Sequence, residues 1–211
     1  MTYKLRDYLG ITSIFVAIIT TTITLTIWAV PLFQFSLRYL DVPSRVGISF
    51  ETIMDNYYIL LKYLHLPWID TLSLPDFAVS ASGAFHFYEV KLLFYINYGM
   101  LVLSLIGSGF YLRKLKQIAG FWRLRQVFKI AIFVPFVLLF IVAIDFDWLF
   151  VMFHEIIFNN DDWLFNPMTD PIINVLTQEF FMYSFIYAFT LLELFLVTGY
   201  FYFKKKATDL N

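Results

Sequence analysis

The sequence predicts an all-α membrane protein: a four-transmembrane-helix bundle, N-terminus and C-terminus both inside, with an extracytoplasmic cap formed by two outer loops. Three observations predict it. The 211-residue chain is 60% hydrophobic and 21% aromatic, too apolar to present a water-compatible surface on all sides. Four apolar segments, at about 9–30, 94–112, 128–150 and 180–203, match the roughly 20 residues a helix needs to cross a hydrocarbon core. The charges segregate by loop: Arg113 to Lys129 holds six basic residues and no acid, whereas Asp145 to Glu179 holds seven acids and no Lys or Arg. An excess of Lys and Arg marks the loops that stay in the cytoplasm.

The first span follows Lys4 and Arg6 as a signal peptide would. Trp28-Ala29-Val30-Pro31 lacks the small-x-small cleavage pattern, so the segment is expected to be retained. With the N-terminus inside, eleven of the fifteen bases fall on the cytoplasmic side, leaving Arg38, Arg45, Lys62 and Lys91 outside. Thirteen of the sixteen acids then lie on the outer side, eleven in the outer loops, 31–91 and 151–179, and Asp145 and Asp147 at the outer end of the third span. The whole chain, 1–211, reads as one integral membrane domain without internal repeats.

In the first outer loop, Ser49 is a candidate N-cap. Beyond it Phe50, Ile53, Met54, Tyr57, Leu60, Leu61 and Leu64 recur at helical spacing. This predicts an amphipathic helix lying in the outer interface. Pro67 and Pro75 bracket a stretch whose composition, over 68–74 and 77–82, suits short strands. The second outer loop continues helically through His154, breaks at Asn159-Asn160-Asp161-Asp162, and re-enters helix after Asp170 with Pro171 at the first helical position. The third span is followed, and the fourth preceded, by this acidic loop.

Zero cysteines remove thiol nucleophiles, Cys-ligated zinc and disulfides together. The net charge of −1 gives no reason to expect nucleic acid. Catalysis must then come from His, carboxylate, hydroxyl or main chain. Imidazole alone has an unperturbed pKa suited to proton transfer near neutrality, and all three histidines are placed on the outer side. His86 lies just before the second span and His154 just after the third, which puts both at the outer membrane boundary. His65 follows the amphipathic helix and reads as a surface residue. The neighbouring carboxylates Glu89, Glu155, Asp161, Asp162 and Asp170 suit solvation or helix capping, and Trp68, Trp148 and Trp163 suit an aromatic belt.

Two other chemistries compete. His86, Glu89 and His154 could together ligate one zinc in a metal-dependent membrane hydrolase, although His154-Glu155 lacks the second His of the zinc-protease motif. Ser80 or Ser82 as a nucleophile lacks the Gly-x-Ser-x-Gly elbow. A non-enzymatic membrane partner protein is the third alternative. Within the last span Glu193 is the costly residue, with Asn97, Ser104 or Ser108 as candidate partners.

The run Phe153-His154-Glu155-Ile156-Ile157-Phe158-Asn159-Asn160-Asp161-Asp162-Trp163, followed by Asn166-Pro167-Met168-Thr169-Asp170-Pro171-Ile172-Ile173, resembles a bacterial family of four-span membrane proteins. So does His86-Phe87-Tyr88-Glu89-Val90-Lys91. This family includes the lipoprotein intramolecular transacylase. The chain departs from the family pattern at Asn166-Pro167, where Asp-Pro is expected, and at Thr177-Gln178-Glu179, where a Pro-Glu pairing is expected. Both histidines are in place.

The resemblance implies an intramolecular acyltransferase in the bacterial cytoplasmic membrane, multi-pass, with its active face extracytoplasmic. It implies movement of the sn-2 acyl chain of a diacylglyceryl-cysteine lipoprotein to the cysteine α-amine. Ester and amine belong to one molecule, so no cofactor, metal or external acyl donor is implied; the partners are the lipid-anchored substrate and membrane lipids. His86 and His154 would transfer protons. Glu89 or Asp161 would fix a ring tautomer, Trp163, Asn160 or Lys91 would donate to the oxyanion, and Asp170 is a further supporting residue.

Overall fold

A computed structural model describes residues 2–208, and among these every regular element is helical. The elements are α1 (Thr2–Ile27), α2 (Val30–Tyr39), α3 (Val42–Val46), α4 (Phe50–His65), α5 (Ala81–Gln117), α6 (Trp122–Ala131), α7 (Phe133–Ile144), α8 (Phe146–Ile157), a 3-10 turn (Pro171–Asn174) and α9 (Gln178–Thr208). Four helical stretches are long and apolar enough to cross a membrane: Lys4–Ile27, Ala81–Gln117, Trp122–Ile144 and Gln178–Thr208.

The chain divides into two compact units. The first comprises 1–28, 97–144 and 185–211. Its core joins Ile14 to Tyr111, Leu115, Phe121, Leu124, Phe128, Leu196 and Phe203. Where lipid surrounds the helices, close approach and hydrogen bonds hold them together. Gly199 lies so near Phe128 that a Cβ there would sit 2.2 Å from the ring. Ser13 donates to the Ser104 carbonyl at 2.9 Å, and the Asn97 amide donates to Thr24 Oγ1 at 2.8 Å. Asp7 receives Arg123 and Lys114 from the basic loop. Of the candidate partners for Glu193, Ser104 donates to Leu101 O at 3.0 Å, while Asn97 Oδ1, Ser108 Oγ and Glu193 Oε2 are buried without a hydrogen-bond partner among the described residues.

The apolar run at 128–150 is divided twice. Pro135 has no N–H for the carbonyl four residues back, which falls at the junction between α6 and α7. Asp145 then ends α7 and caps α8, its Oδ1 accepting from the Trp148 N–H at 2.9 Å.

The second unit comprises 29–96 and 145–184. Ser49 caps α4 as expected, accepting from the Thr52 N–H at 3.1 Å. The apolar face of α4 is not left for lipid, however. Ile53, Tyr57, Leu60 and Leu64 are buried in a protein core with Phe33, Leu37, Ile172 and Val175, and Phe33 stacks on Tyr57 at 3.9 Å. The helices α2 and α3, inside the expected outer loop 31–91, supply part of that core; each has proline at its second position.

The expected strands at 68–74 and 77–82 are absent, and 66–80 is irregular up to the start of α5. Proline at 67 and 75 removes ladder donors, and side chains from elsewhere hold the segment. Lys91 Nζ donates to the Ile69 carbonyl at 2.5 Å, and fully buried Asn56 donates to Asp76 Oδ2 at 2.6 Å. The re-entry after Asp170 is a single 3-10 turn, after which α9 begins at Gln178.

Candidate active site

All the residues of this site belong to the second unit. His86 stands in the second turn of α5, and the start of that helix is fixed by two caps. Ser80 Oγ accepts from the Gly83 N–H at 3.0 Å, so this serine is a helix cap and not an exposed nucleophile. The N–H of Ser80 donates to Asp170 Oδ1 at 2.7 Å. Asp170 is only 2% exposed, and its other oxygen accepts from Thr169 Oγ1 at 2.7 Å. A carboxylate here complements the orphan N–H groups and dipole of a helix N-terminus. Asp170 was expected to be solvated or to cap the turn that follows it. Its side chain instead caps α5, 90 residues away in sequence. The fit depends on Gly83, where a Cβ would lie 2.3 Å from Asp170 Oδ1.

His154 occupies the last turn of α8. Its Nδ1 lies 2.7 Å from the Phe150 carbonyl oxygen. A carbonyl only accepts, so Nδ1 carries the proton and Nε2 presents the lone pair of the neutral ring. Trp163 stacks on the imidazole with centroids 4.8 Å apart and planes 27° apart, and Phe150 packs at 4.2 Å. Burial pushes the His154 pKa below the usual 6.5, and the bond to Phe150 opposes this more weakly. The ring is therefore neutral at neutral pH.

The structure brings the two predicted histidines together. Their ring centroids are 5.9 Å apart. His86 is 6% exposed and walled by the edges of Phe158 at 4.7 Å and Phe165 at 5.5 Å. Its Nδ1 is buried without a hydrogen-bond partner in the protein. Buried polar atoms are nearly always paired, and this nitrogen is an exception.

Glu89 lies one turn beyond His86. Its Oε1 accepts from the Asn160 amide at 2.9 Å, while Oε2 is buried with no partner in the protein. Asn160 is a junction: its Oδ1 accepts from the Asp162 N–H at 3.0 Å and its carbonyl from Trp163 Nε1–H at 3.0 Å. The Trp163 indole N–H is thus spent, and it is the ring face that meets His154. Lys91 gives one of its three N–H groups to Ile69 O, and its ammonium lies 4.4 Å from the Tyr63 ring centroid. Asp161 is exposed and contributes its carbonyl to the Leu164 N–H at 3.0 Å. The tautomer of His154 is set by Phe150. Among the described residues no three His, Asp or Glu side chains form a group that could hold a metal ion. His65, expected at the surface, packs at 5.3 Å against Phe94.

Sequence reasoning missed Phe158 and Phe165 as walls, the Phe150 carbonyl as the tautomer anchor, and the cap formed by Ser80, Gly83 and Asp170. The Ser80-x-x-Gly83 spacing ahead of an apolar helix was a usable signal for the last of these. With 26 phenylalanines in the chain, nothing singled out the first two.

A family model described as lipoprotein intramolecular transacylase Lit matches residues 8–181. An in meso structure of the membrane integral lipoprotein intramolecular transacylase Lit from Bacillus cereus is similar, with TM-score 0.92 and 25% identity over 98% of this chain and 96% of that one. Two further structures of that protein, with one histidine replaced by arginine or by alanine, match at TM-score 0.84 and 24% identity. Each covers 98% of this chain, and 92% and 94% of theirs is covered. No curated protein matches.

Proposed function

This chain belongs to the lipoprotein intramolecular transacylase family, Lit, and on that premise we propose that it moves the sn-2 acyl chain of a diacylglyceryl-cysteine lipoprotein onto the cysteine α-amine. The observation that carries this reading is the pairing of His86 and His154 at 5.9 Å, beside a buried carboxylate with one oxygen free. Charge segregation supports an outer-leaflet reaction in the bacterial cytoplasmic membrane, with the basic loop 113–129 inside.

The chemistry follows from what aminolysis needs. A free α-amine has a pKa of about 7.7–8.0 and is largely protonated at neutral pH. Glu89 Oε2 accepts a hydrogen bond from the ammonium and holds it beside the imidazoles. His86 Nδ1, which has no partner in the protein, takes the first proton from the ammonium and releases it to water, and the nitrogen lone pair then attacks the ester carbonyl carbon. A neutral imidazole, His154 through Nε2, takes the second N–H proton. Asn160 retains an amide N–H beyond the one given to Glu89 and can donate to the oxyanion. Collapse breaks the carbon–oxygen bond, and the imidazolium returns its proton to the departing glycerol oxygen. The net change is ester plus ammonium to amide, alcohol and one released proton.

Acid–base assistance of this kind contributes about 10²–10⁴ in rate. Holding amine and ester in contact contributes more, since well-oriented intramolecular reactions reach effective molarities of about 10⁵ M or higher. No enzyme nucleophile is required. The product is an isomer of the substrate, so intact mass does not register the reaction. Fragmentation does: incubation of the purified chain with a synthetic diacyl lipopeptide should move one acyl chain from an alkali-labile ester to an alkali-stable amide. Persistence of both esters with well-folded protein overturns the reading.

Two outcomes are specific to this site. Because only neutral imidazole can accept a proton, and burial lowers the His154 pKa, kcat/KM should hold as pH falls to about 6.5 apart from the loss due to amine protonation. It should steepen only below that value. A pH-rate profile whose extra break lies above 7 contradicts a buried neutral base. Glu89→Gln should raise KM by about tenfold or more, the worth of a hydrogen bond to a charged group, and steady-state kinetics with unchanged KM would remove Glu89 from ammonium binding.

A further inference from the structure

A cavity of about 430 Å³ lies on the second unit, away from both histidines in its lining. Arg45, Asp76 and Asn174 supply its polar groups, and Ile48, Phe77 and Pro171 are among its apolar walls. Its volume is within the range of small-ligand sites, roughly 300–1,000 Å³. Among the described residues both ion pairs are made by Asp7, so the Arg45 guanidinium keeps its donors for something else. Arg45 and Asn174 are exposed at the rim.

Two of the walls lead directly to the imidazoles. Pro171 follows Asp170, and Phe77 precedes Ser80 by three residues; Asp170 and Ser80 are hydrogen-bonded to each other at the start of α5. His86 is six residues further along that helix, about 9 Å at 1.5 Å per residue. An extended peptide of six residues reaches about 20 Å, more than that rise.

Resting on the transacylase reading above, we propose that this cavity holds the main chain of the lipoprotein's own polypeptide, downstream of the lipidated cysteine. The chemistry fits an extended backbone. Guanidinium and carboxamide donate to peptide carbonyls, and a carboxylate and the Asn174 carbonyl accept from peptide N–H groups. The apolar walls cover the chain between them. Recognition of main chain is tolerant of sequence, and it draws the polypeptide away from the lipid while the cysteine stays at the imidazoles.

The test compares two synthetic diacylglyceryl-cysteine lipopeptides, one ending as the cysteine amide and one carrying six further residues, on the full chain in detergent micelles. The longer substrate should show about tenfold lower KM at equal kcat. Arg45→Ala and, independently, Asn174→Ala should raise KM for the longer substrate severalfold and leave the shorter one unchanged. Equal KM for the two lengths, or variants that weaken both substrates alike, overturns the proposal. Binding of the same lipopeptides to His86→Ala separates the two readings. If native protein yields no N-acylated product of either length, the transacylase reading fails, and length-dependent binding by His86→Ala, abolished by adding Arg45→Ala, still decides the cavity.

Discussion

Alanine in place of His86 or of His154 is expected to lower the rate of acyl transfer by at least about a hundredfold, the lower end of what acid–base assistance contributes. The two variants should look alike. Without His86 the ammonium keeps the proton that must leave before attack, and without His154 no group carries the second proton to the glycerol oxygen. The double variant should be little worse than either single one, because groups that act as a unit are not additive. Both rings sit in aromatic surroundings, with His154 stacked on Trp163 and His86 against Phe158. Asparagine variants, which keep a polar group of similar reach, serve as controls for lost packing. Single-turnover kinetics on a diacyl lipopeptide measures the effect, and near-native rates in either alanine variant would place the chemistry elsewhere.

Asp170→Ala is expected to have the largest effect outside the imidazoles. It removes the acceptor for the Ser80 N–H and the partner of Thr169, and hydrogen bonds to charged groups are worth about 1.5–3 kcal/mol each. Allowing for relaxation at the exposed Thr169, the loss should be about 2–4 kcal/mol, read as a lower midpoint in thermal unfolding. Activity should fall further than stability. The Asp170 bond ties the loop bearing Trp163 and Phe165 to the helix bearing His86, and a loosened loop loses the near-attack geometry on which the rate depends. Asp170→Asn retains an acceptor oxygen and should be milder. Gly83→Ala approaches the same bond from the other side, since its Cβ would collide with Asp170 Oδ1, and it should reproduce the phenotype with every hydrogen-bonding residue intact. Full activity in folded Gly83→Ala would show that this junction does not position His86.

Span number and the histidine pair were legible because each rests on a one-dimensional signal. Apolar length reports a helix that crosses lipid, and the positions of His86 and His154 at the ends of two such runs bring them to one boundary without further knowledge of packing. The cap of Ser49 on α4 was equally local. What the sequence did not disclose depended on contacts between distant segments. Asp170 precedes a proline and reads as a local cap, yet its acceptor oxygen serves Ser80, 90 residues back. Trp163 and Lys91 look like available donors in a list of residue types. Asn160 O takes the one N–H of the Trp163 indole and Ile69 O one of the three on Lys91, and no spacing rule anticipates a carbonyl supplied by an irregular loop. The strands expected at 68–74 and 77–82 failed for a related reason: β composition says a segment tolerates extension, but a strand also needs a partner, and here the backbone is tied by Lys91 and Asn56 instead.

The account stands on transfer within one substrate molecule at the paired imidazoles. A crossover experiment tests this directly. Two diacyl lipopeptides, differing both in peptide and in sn-2 acyl chain, are mixed with the purified chain, and the N-acylated products are fragmented in the mass spectrometer. Only the two parental pairings of acyl chain and peptide are predicted, at every ratio of substrates. Scrambled pairings would mean that the acyl group passes through the enzyme or between molecules, and would contradict the mechanism built on His86 and His154.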